Sequence, residues 1–162
     1  MDWSEARLPT LLLVEDDPAV RESLTLFLSG QYEIHAAADS ASALARVYTR
    51  QAQGLPAYDL LLIDLRLGLG ADGIECLRML RRCEGYDDPD LVPAIAFSGL
   101  VTPVIKRRCA MAGFAVTLAK PFMADVVEGN IEALLAENWS ERNLRRALPA
   151  EPERYSGFGL MR

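Results

Sequence analysis

Short apolar runs alternate with stretches whose apolar residues recur at helical spacing, and the alternation holds for most of the chain. Thr10 to Val14 is an apolar run that stops at Glu15-Asp16-Asp17-Pro18, which predicts a buried strand ending in an acidic loop. Pro18 suits the first turn of a helix with Asp17 as its cap, and Val20, Leu24, Phe27 and Leu28 follow at helical spacing up to Gly30. Tyr32 to Ala37 predicts a second strand. Asp39 or Ser40 then caps a helix through Leu44 and Val47 that runs out near Gly54-Leu55-Pro56. Tyr58 to Asp64 gives the strongest strand signal, an apolar run of the kind buried on both faces. A loop with Gly68, Gly70 and Gly73 leads to a helix carrying Ile74, Leu77, Met79 and Leu80 and ending near Gly85. Pro93 to Gly99 predicts a fourth strand, and Thr102-Pro103 opens a fourth helix stopped by Gly113. Ala115 to Ala119 predicts a short fifth strand, and Met123 to about Asn138 a fifth helix.

Five strand–helix units in strict alternation imply an α/β fold, a parallel sheet with helices on both faces. At 162 residues the chain suits one domain, read as residues 10–138, with an N-terminal arm at 1–9 and a tail at 139–162. The tail holds two prolines, two glycines and a weak helical segment around Asn143 to Leu148, so no separate output domain is expected there. A net charge of −6 argues against a general nucleic-acid binder. The basic clusters Arg81-Arg82, Lys106-Arg107-Arg108 and Arg145-Arg146 fall in helical patterns and read as solvated faces. Cys76, Cys83 and Cys109 lack metal-ligand spacing and imply no disulfide framework; Cys76 and Cys83 read as core residues on one helix face. The acidic N-terminus lacks a signal core, and no apolar run reaches membrane-spanning length. A soluble cytoplasmic protein is therefore expected. The lone histidine, His35, falls in the second strand and reads as structural.

An open parallel sheet binds its ligands beyond the carboxyl ends of its strands. There the sequence places Glu15, Asp16 and Asp17 after the first strand, Asp64 at the end of the third, Ser98 at the end of the fourth and Lys120 at the end of the fifth. Each alone is ordinary turn, cap or surface chemistry. Together they aim carboxylates, a hydroxyl and an ammonium at one rim, which unrelated turn residues need not do. Clustered carboxylates repel one another, and a hard divalent cation relieves that repulsion. Mg2+ is the expected ion, with Asp16 and Asp64 as direct ligands, Glu15 acting through water and the Arg66 backbone carbonyl as a further ligand. Asp64 can then attack a phosphorus centre as a nucleophile. Lys120 and the Ser98 hydroxyl would meet the charge on the transferring oxygens.

With Leu-Leu-Val-Glu-Asp-Asp-Pro (12–18), Asp-Leu-Leu-Leu-Ile-Asp-Leu (59–65), Asp-Gly (72–73), Phe-Ser-Gly (97–99) and Lys-Pro-Phe (120–122), the chain resembles the receiver domain of two-component response regulators from about Leu11 to Leu135. The resemblance implies a flavodoxin-like, doubly wound sheet in strand order 2-1-3-4-5, usually with a cis Lys120–Pro121 bond. It makes Glu15 and Asp16 the acidic pair, Asp64 the phosphoacceptor, Ser98 the switch hydroxyl and Lys120 the family's lysine. It also implies a bacterial phosphorelay, with a histidine kinase or phosphotransfer protein as donor. The output would be a protein target or self-association, through the fourth helix, fifth strand and fifth helix, with no direct nucleic acid or membrane contact.

Three departures stand out. The loop from Asp64 to Asp72 is one residue longer than usual, with Gly68 where proline is common. Thr117 occupies the position of an aromatic switch residue, and Gly99 that of the commoner alanine. Arg66, two past the phosphoacceptor, is placed to alter the lifetime of a phosphoryl group. Another reading is a phosphorylation-independent docking module, which the missing aromatic favours and the retained charged set opposes. An aspartyl-phosphate phosphatase would need a second aspartate where Arg66 stands. A flavin-binding protein would need hydroxyls where Glu15-Asp16-Asp17 stands.

Overall fold

The computed structural model describes residues 7–68 and 72–137. The first six residues, the tail from 139 with its Arg145-Arg146 pair, and the middle of the glycine loop lie outside them. Strands β1 (Thr10–Val14), β2 (Glu33–Ala37), β3 (Leu60–Asp64), β4 (Ala94–Ser98) and β5 (Val116–Ala119) alternate with helices α1 (Pro18–Leu28), α2 (Ser40–Ala52), α3 (Gly73–Arg81), α4 (Pro103–Ala112) and α5 (Ala124–Glu137). All neighbouring strands pair in parallel, in the order β2-β1-β3-β4-β5. This is the flavodoxin-like doubly wound sheet expected from the sequence.

The two-residue period of the strands divides the core between the two faces. Leu12 and Val14, Leu61 and Ile63, and Ala94 and Ala96 face α2, α3 and α4, where Val47, Leu77 and Cys109 are buried. Leu11 and Leu13, Leu60 and Leu62, and Ile95 and Phe97 face α1 and α5, against Leu24, Leu28, Val127 and Ile131. β1, β3 and β4 are buried along their whole length, whereas the outer strands β2 and β5 are only partly covered. Cys76 and Cys83 are both buried in this half of the core, as expected, but Cys83 lies beyond the end of α3 and not on a shared helix face.

Asp17, Asp39, Asp72 and Thr102 cap α1, α2, α3 and α4 through side-chain oxygens that accept from backbone N–H groups. One expectation is corrected on the third helix, which stops at Arg81 rather than near Gly85. Arg81 does not lie on a solvated face. Its Nη1 donates to Tyr86 O (3.0 Å) and Val92 O (2.7 Å), tying down the connection into β4. Burial holds its pKa below the ordinary arginine value, against the opposing charges of Asp88 and Asp87.

Two glycines differ sharply in what surrounds them. A Cβ on Gly73 would stand 2.3 Å from Asp64 O and 2.7 Å from Leu65 Cα, because α3 begins against the backbone at the end of β3. A Cβ on Gly129, in the exposed middle of α5, would meet nothing within 4 Å. Gly73→Ala should therefore lower stability in urea unfolding by about 3 kcal/mol. Gly129→Ala should raise it by about 0.5–1 kcal/mol. Equal effects would refute the close-approach argument.

Candidate functional site

The register of the sheet brings the polar strand ends level. Asp64 pairs with Phe97 and Ser98 with Ala119, and Glu15 N continues the β1–β2 ladder by donating to Ala37 O. Lys120 N donates to Ser98 O (2.8 Å), which sets the start of the β5–α5 connection beside β4, and the Lys120–Pro121 bond is cis. From there the Lys120 ammonium reaches both neighbours. Its Nζ donates to Glu15 Oε2 (2.9 Å) and Asp64 Oδ2 (2.8 Å).

The second oxygen of each of these carboxylates is also held. Arg66 N donates to Asp64 Oδ1 (3.0 Å) and Asp17 N to Glu15 Oε1 (3.2 Å). Asp16 is exposed beside them, and one oxygen from each of Glu15, Asp16 and Asp64 lies within 4.8 Å of the others. Three carboxylates and one ammonium form a net negative pocket whose potential metal donors are all oxygens. That donor set suits a hard divalent cation such as Mg2+.

Glu15 is fully buried, and burial pushes its pKa above the usual carboxylate range; the hydrogen bond from Lys120 pulls the other way, and the charge of Asp64 adds to the rise. For Lys120 burial by itself would lower the pKa. The hydrogen bonds and charges of Asp64 and Glu15 outweigh it and hold the ammonium above the ordinary lysine value. The lysine stays charged because its partners are charged.

Arg21 is a contributor that the sequence pattern did not single out. Its Nη1 donates to Glu15 O (2.9 Å) and Asp16 O (3.4 Å), fixing the backbone of the acidic loop from the first turn of α1. The only signal was a basic residue four positions past the cap.

Ser98 stands at the predicted strand end, but its hydroxyl is turned to its own loop. It donates to Leu100 O (2.7 Å) and accepts from Leu100 N (3.2 Å). Thr117 is half-buried and lines a hollow of about 280 Å³ between α4 and β5, with Lys106, Ala110 and Phe114. Gly68 has φ +64°, which proline, fixed near −65°, cannot adopt. A Cβ there would lie 3.8 Å from Asp16 Oδ2, which places Gly68 itself close to the acidic pair. Arg66 is exposed, and only its backbone N–H is engaged with Asp64. His35 bonds Tyr58 Oη (2.8 Å) and Glu33 Oε1 (2.9 Å), away from the carboxylate pocket.

An apolar groove of about 590 Å³ opens directly beside the pocket. Val20, Leu24 and Phe27 of α1 form one wall, and Lys120, Pro121 and Phe122 form the other.

Comparison with known proteins agrees with the fold. A family model described as the response regulator receiver domain matches residues 11–132. The transcriptional activator protein PfeR of Pseudomonas aeruginosa is 32% identical over 128 residues, 78% of this chain; the chain spans 38% of that relative's length. A putative response regulator from Chloroflexus aurantiacus is 30% identical, with a TM-score of 0.69 over 81% of this chain and 100% of that one. The chemotaxis protein CheY4 of Vibrio cholerae, at 22% identity, shares the fold with a TM-score of 0.70 over 80% of this chain and 100% of its own. With the family pattern matched over most of its length and its strand order reproduced, the chain belongs to the response regulator receiver domains of two-component systems.

Proposed function

We propose that Asp64 accepts a phosphoryl group from a phosphohistidine on a histidine kinase or phosphotransfer protein, in a Mg2+-dependent reaction. The observation that carries this reading is the convergence of Lys120 on Asp64 and Glu15 at the carboxyl end of the sheet, with Asp16 alongside. Glu15, Asp16 and Asp64 would hold the ion, with the Arg66 carbonyl as a further oxygen. When bound, Mg2+ supplies positive charge to the crowded carboxylates and the phosphoryl oxygens.

The chain's own groups do the rest. Arg66 N–H fixes the Asp64 carboxylate in place. One carboxylate oxygen attacks phosphorus, an O–P bond forms as the donor's P–N bond breaks, and the electron pair leaves on the imidazole. Lys120, already at Asp64 Oδ2, neutralises charge on the transferring group. The Ser98 hydroxyl then exchanges Leu100 O for a phosphoryl oxygen, which pulls on the loop leading into α4. Exposed Arg66 stands at the mouth, where it affects the lifetime of the acyl phosphate. The α1 groove, which shares Lys120 with the pocket, receives the donor's helix.

The present bond between Ser98 and Leu100 also suits a second reading, a docking module that works without phosphorylation. Incubation with acetyl phosphate and Mg2+, followed by intact mass, separates the two. One added phosphoryl group is expected, lost in Asp64→Asn and with a chelator, and formed about 100-fold more slowly in Lys120→Met. Labelling that persists in Asp64→Asn would sink the proposal. Phe27→Ala should slow transfer from a kinase about tenfold while leaving acetyl phosphate labelling unchanged. Ser98→Ala should still accept the phosphoryl group. In that variant the phosphorylation-dependent change in amide exchange over residues 99–104 should disappear.

A further inference from the structure

A second polar cleft, of about 330 Å³, lies between β2 and α2, lined by His35, Arg46, Arg50, Gln53, Leu55 and Tyr58 among others. Tyr58 precedes Asp64 by six residues along an extended segment, so the cleft is roughly 20 Å from the phosphoacceptor, toward the opposite end of the sheet. Its chemistry is reversed as well, with guanidinium groups in place of carboxylates.

Arg50 is only 7% exposed, and its guanidinium lies 4.5 Å from the centre of the Tyr58 ring. Nε and Nη2 both donate to the same acceptor, Pro56 O, at 3.0 and 2.8 Å. Arg46 gives only Nε, to Ala36 O (2.8 Å). Among the described residues, neither guanidinium has a carboxylate within salt-bridge distance. Buried charges are ordinarily paired, and a carbonyl with one ring face is a weak substitute for an anion. The acid nearest the cleft's histidine is Glu33, which bonds His35 Nε2 at the rim and is 58% exposed. Two cations thus share a cleft that, among the described residues, no carboxylate lines, in a chain whose net charge is −6.

From this geometry we propose that the cleft binds a small phosphate monoester, its phosphate held by Arg46 and Arg50 and its organic part against Leu55 and Tyr58. Two guanidiniums without a carboxylate partner match a group carrying about −1.5 to −2 charges better than a single carboxylate does. The planar forks suit its oxygens, and Gln53 offers an amide donor. The size of the cleft limits the ligand to a small one.

The chain has one histidine, so the ring signals of His35 report on the cleft without ambiguity. The test is an NMR titration of the full Asp64→Asn chain, with chelator present so that the phosphoacceptor pocket is silent. Glycerol 3-phosphate is compared with inorganic phosphate, succinate and chloride at matched ionic strength. Glycerol 3-phosphate should shift the ring signals saturably, with inorganic phosphate weaker and succinate weaker by about tenfold. Arg46 is exposed, so Arg46→Ala should fold and should weaken binding about tenfold, with partial recovery in Arg46→Lys. Glu33→Gln should tighten binding by removing the competing carboxylate. A shift no larger than that given by chloride, equal binding of succinate, or indifference to both Arg46→Ala and Glu33→Gln would overturn the proposal.

Discussion

One ammonium holds two buried carboxylates that would otherwise repel each other across the end of the sheet. Glu15 and Asp64 are 0% and 4% exposed, each with an oxygen inside the 4.8 Å cluster that also includes Asp16. At that spacing, like charges near a protein surface oppose each other by about 3–4 kcal/mol per pair at an effective dielectric near 20. Lys120 cancels part of this for both, because the register of β4 and β5 delivers its backbone beside Ser98 and its stem reaches back over the pocket. One positive against three negative charges still leaves a deficit of cation. That deficit ties the fold to its chemistry, since any group that brings positive charge stabilises the pocket.

Much of this was legible in the sequence, for a definable reason. The runs Thr10–Val14, Leu60–Asp64 and Ala94–Ser98 are apolar at every position or nearly so, which strands buried on both faces require. Once five such strands alternate with helices, the parallel topology dictates that Glu15, Asp64, Ser98 and Lys120 share one end of the sheet. No distance needed to be known for that. What the pattern could not carry was where side chains turn after the backbone is placed. Ser98 satisfies itself on Leu100, Arg81 leaves its helix face to grip two carbonyls, and Arg21 reaches past its own cap to hold the acidic loop. Each choice depends on an acceptor from another segment, whose orientation only the folded chain defines.

The departures from the family pattern also have physical contents that the letters alone concealed. Gly68 is more than a missing proline, because it takes a positive φ at a point where a Cβ would touch Asp16. In the sequence Gly73 reads as one of three loop glycines, yet it is required by the lack of space above Asp64 O. Thr117 leaves a hollow against α4 that a small, half-buried side chain cannot fill. No aromatic ring stands there, and the chain runs from Ser98 through Leu100, its hydrogen-bond partner, to the cap of α4 at Thr102.

The cations are divided by kind in a way that follows from their geometry. Four arginines donate to backbone carbonyls outside their own helices: Arg21 to Glu15 O, Arg46 to Ala36 O, Arg50 to Pro56 O and Arg81 to Tyr86 O and Val92 O. A planar fork can make several such bonds at once with little rotameric freedom left to lose. At the Glu15–Asp64 pocket the cation is a lysine, a compact charge on a flexible stem, at the place where the proposed chemistry changes the partner. An arginine at position 120 would grip Asp64 bidentately and occupy the oxygens that the reaction needs. Arg46 and Arg50 stand apart from the other clamps because they face a shared cleft and have no carboxylate partner among the described residues.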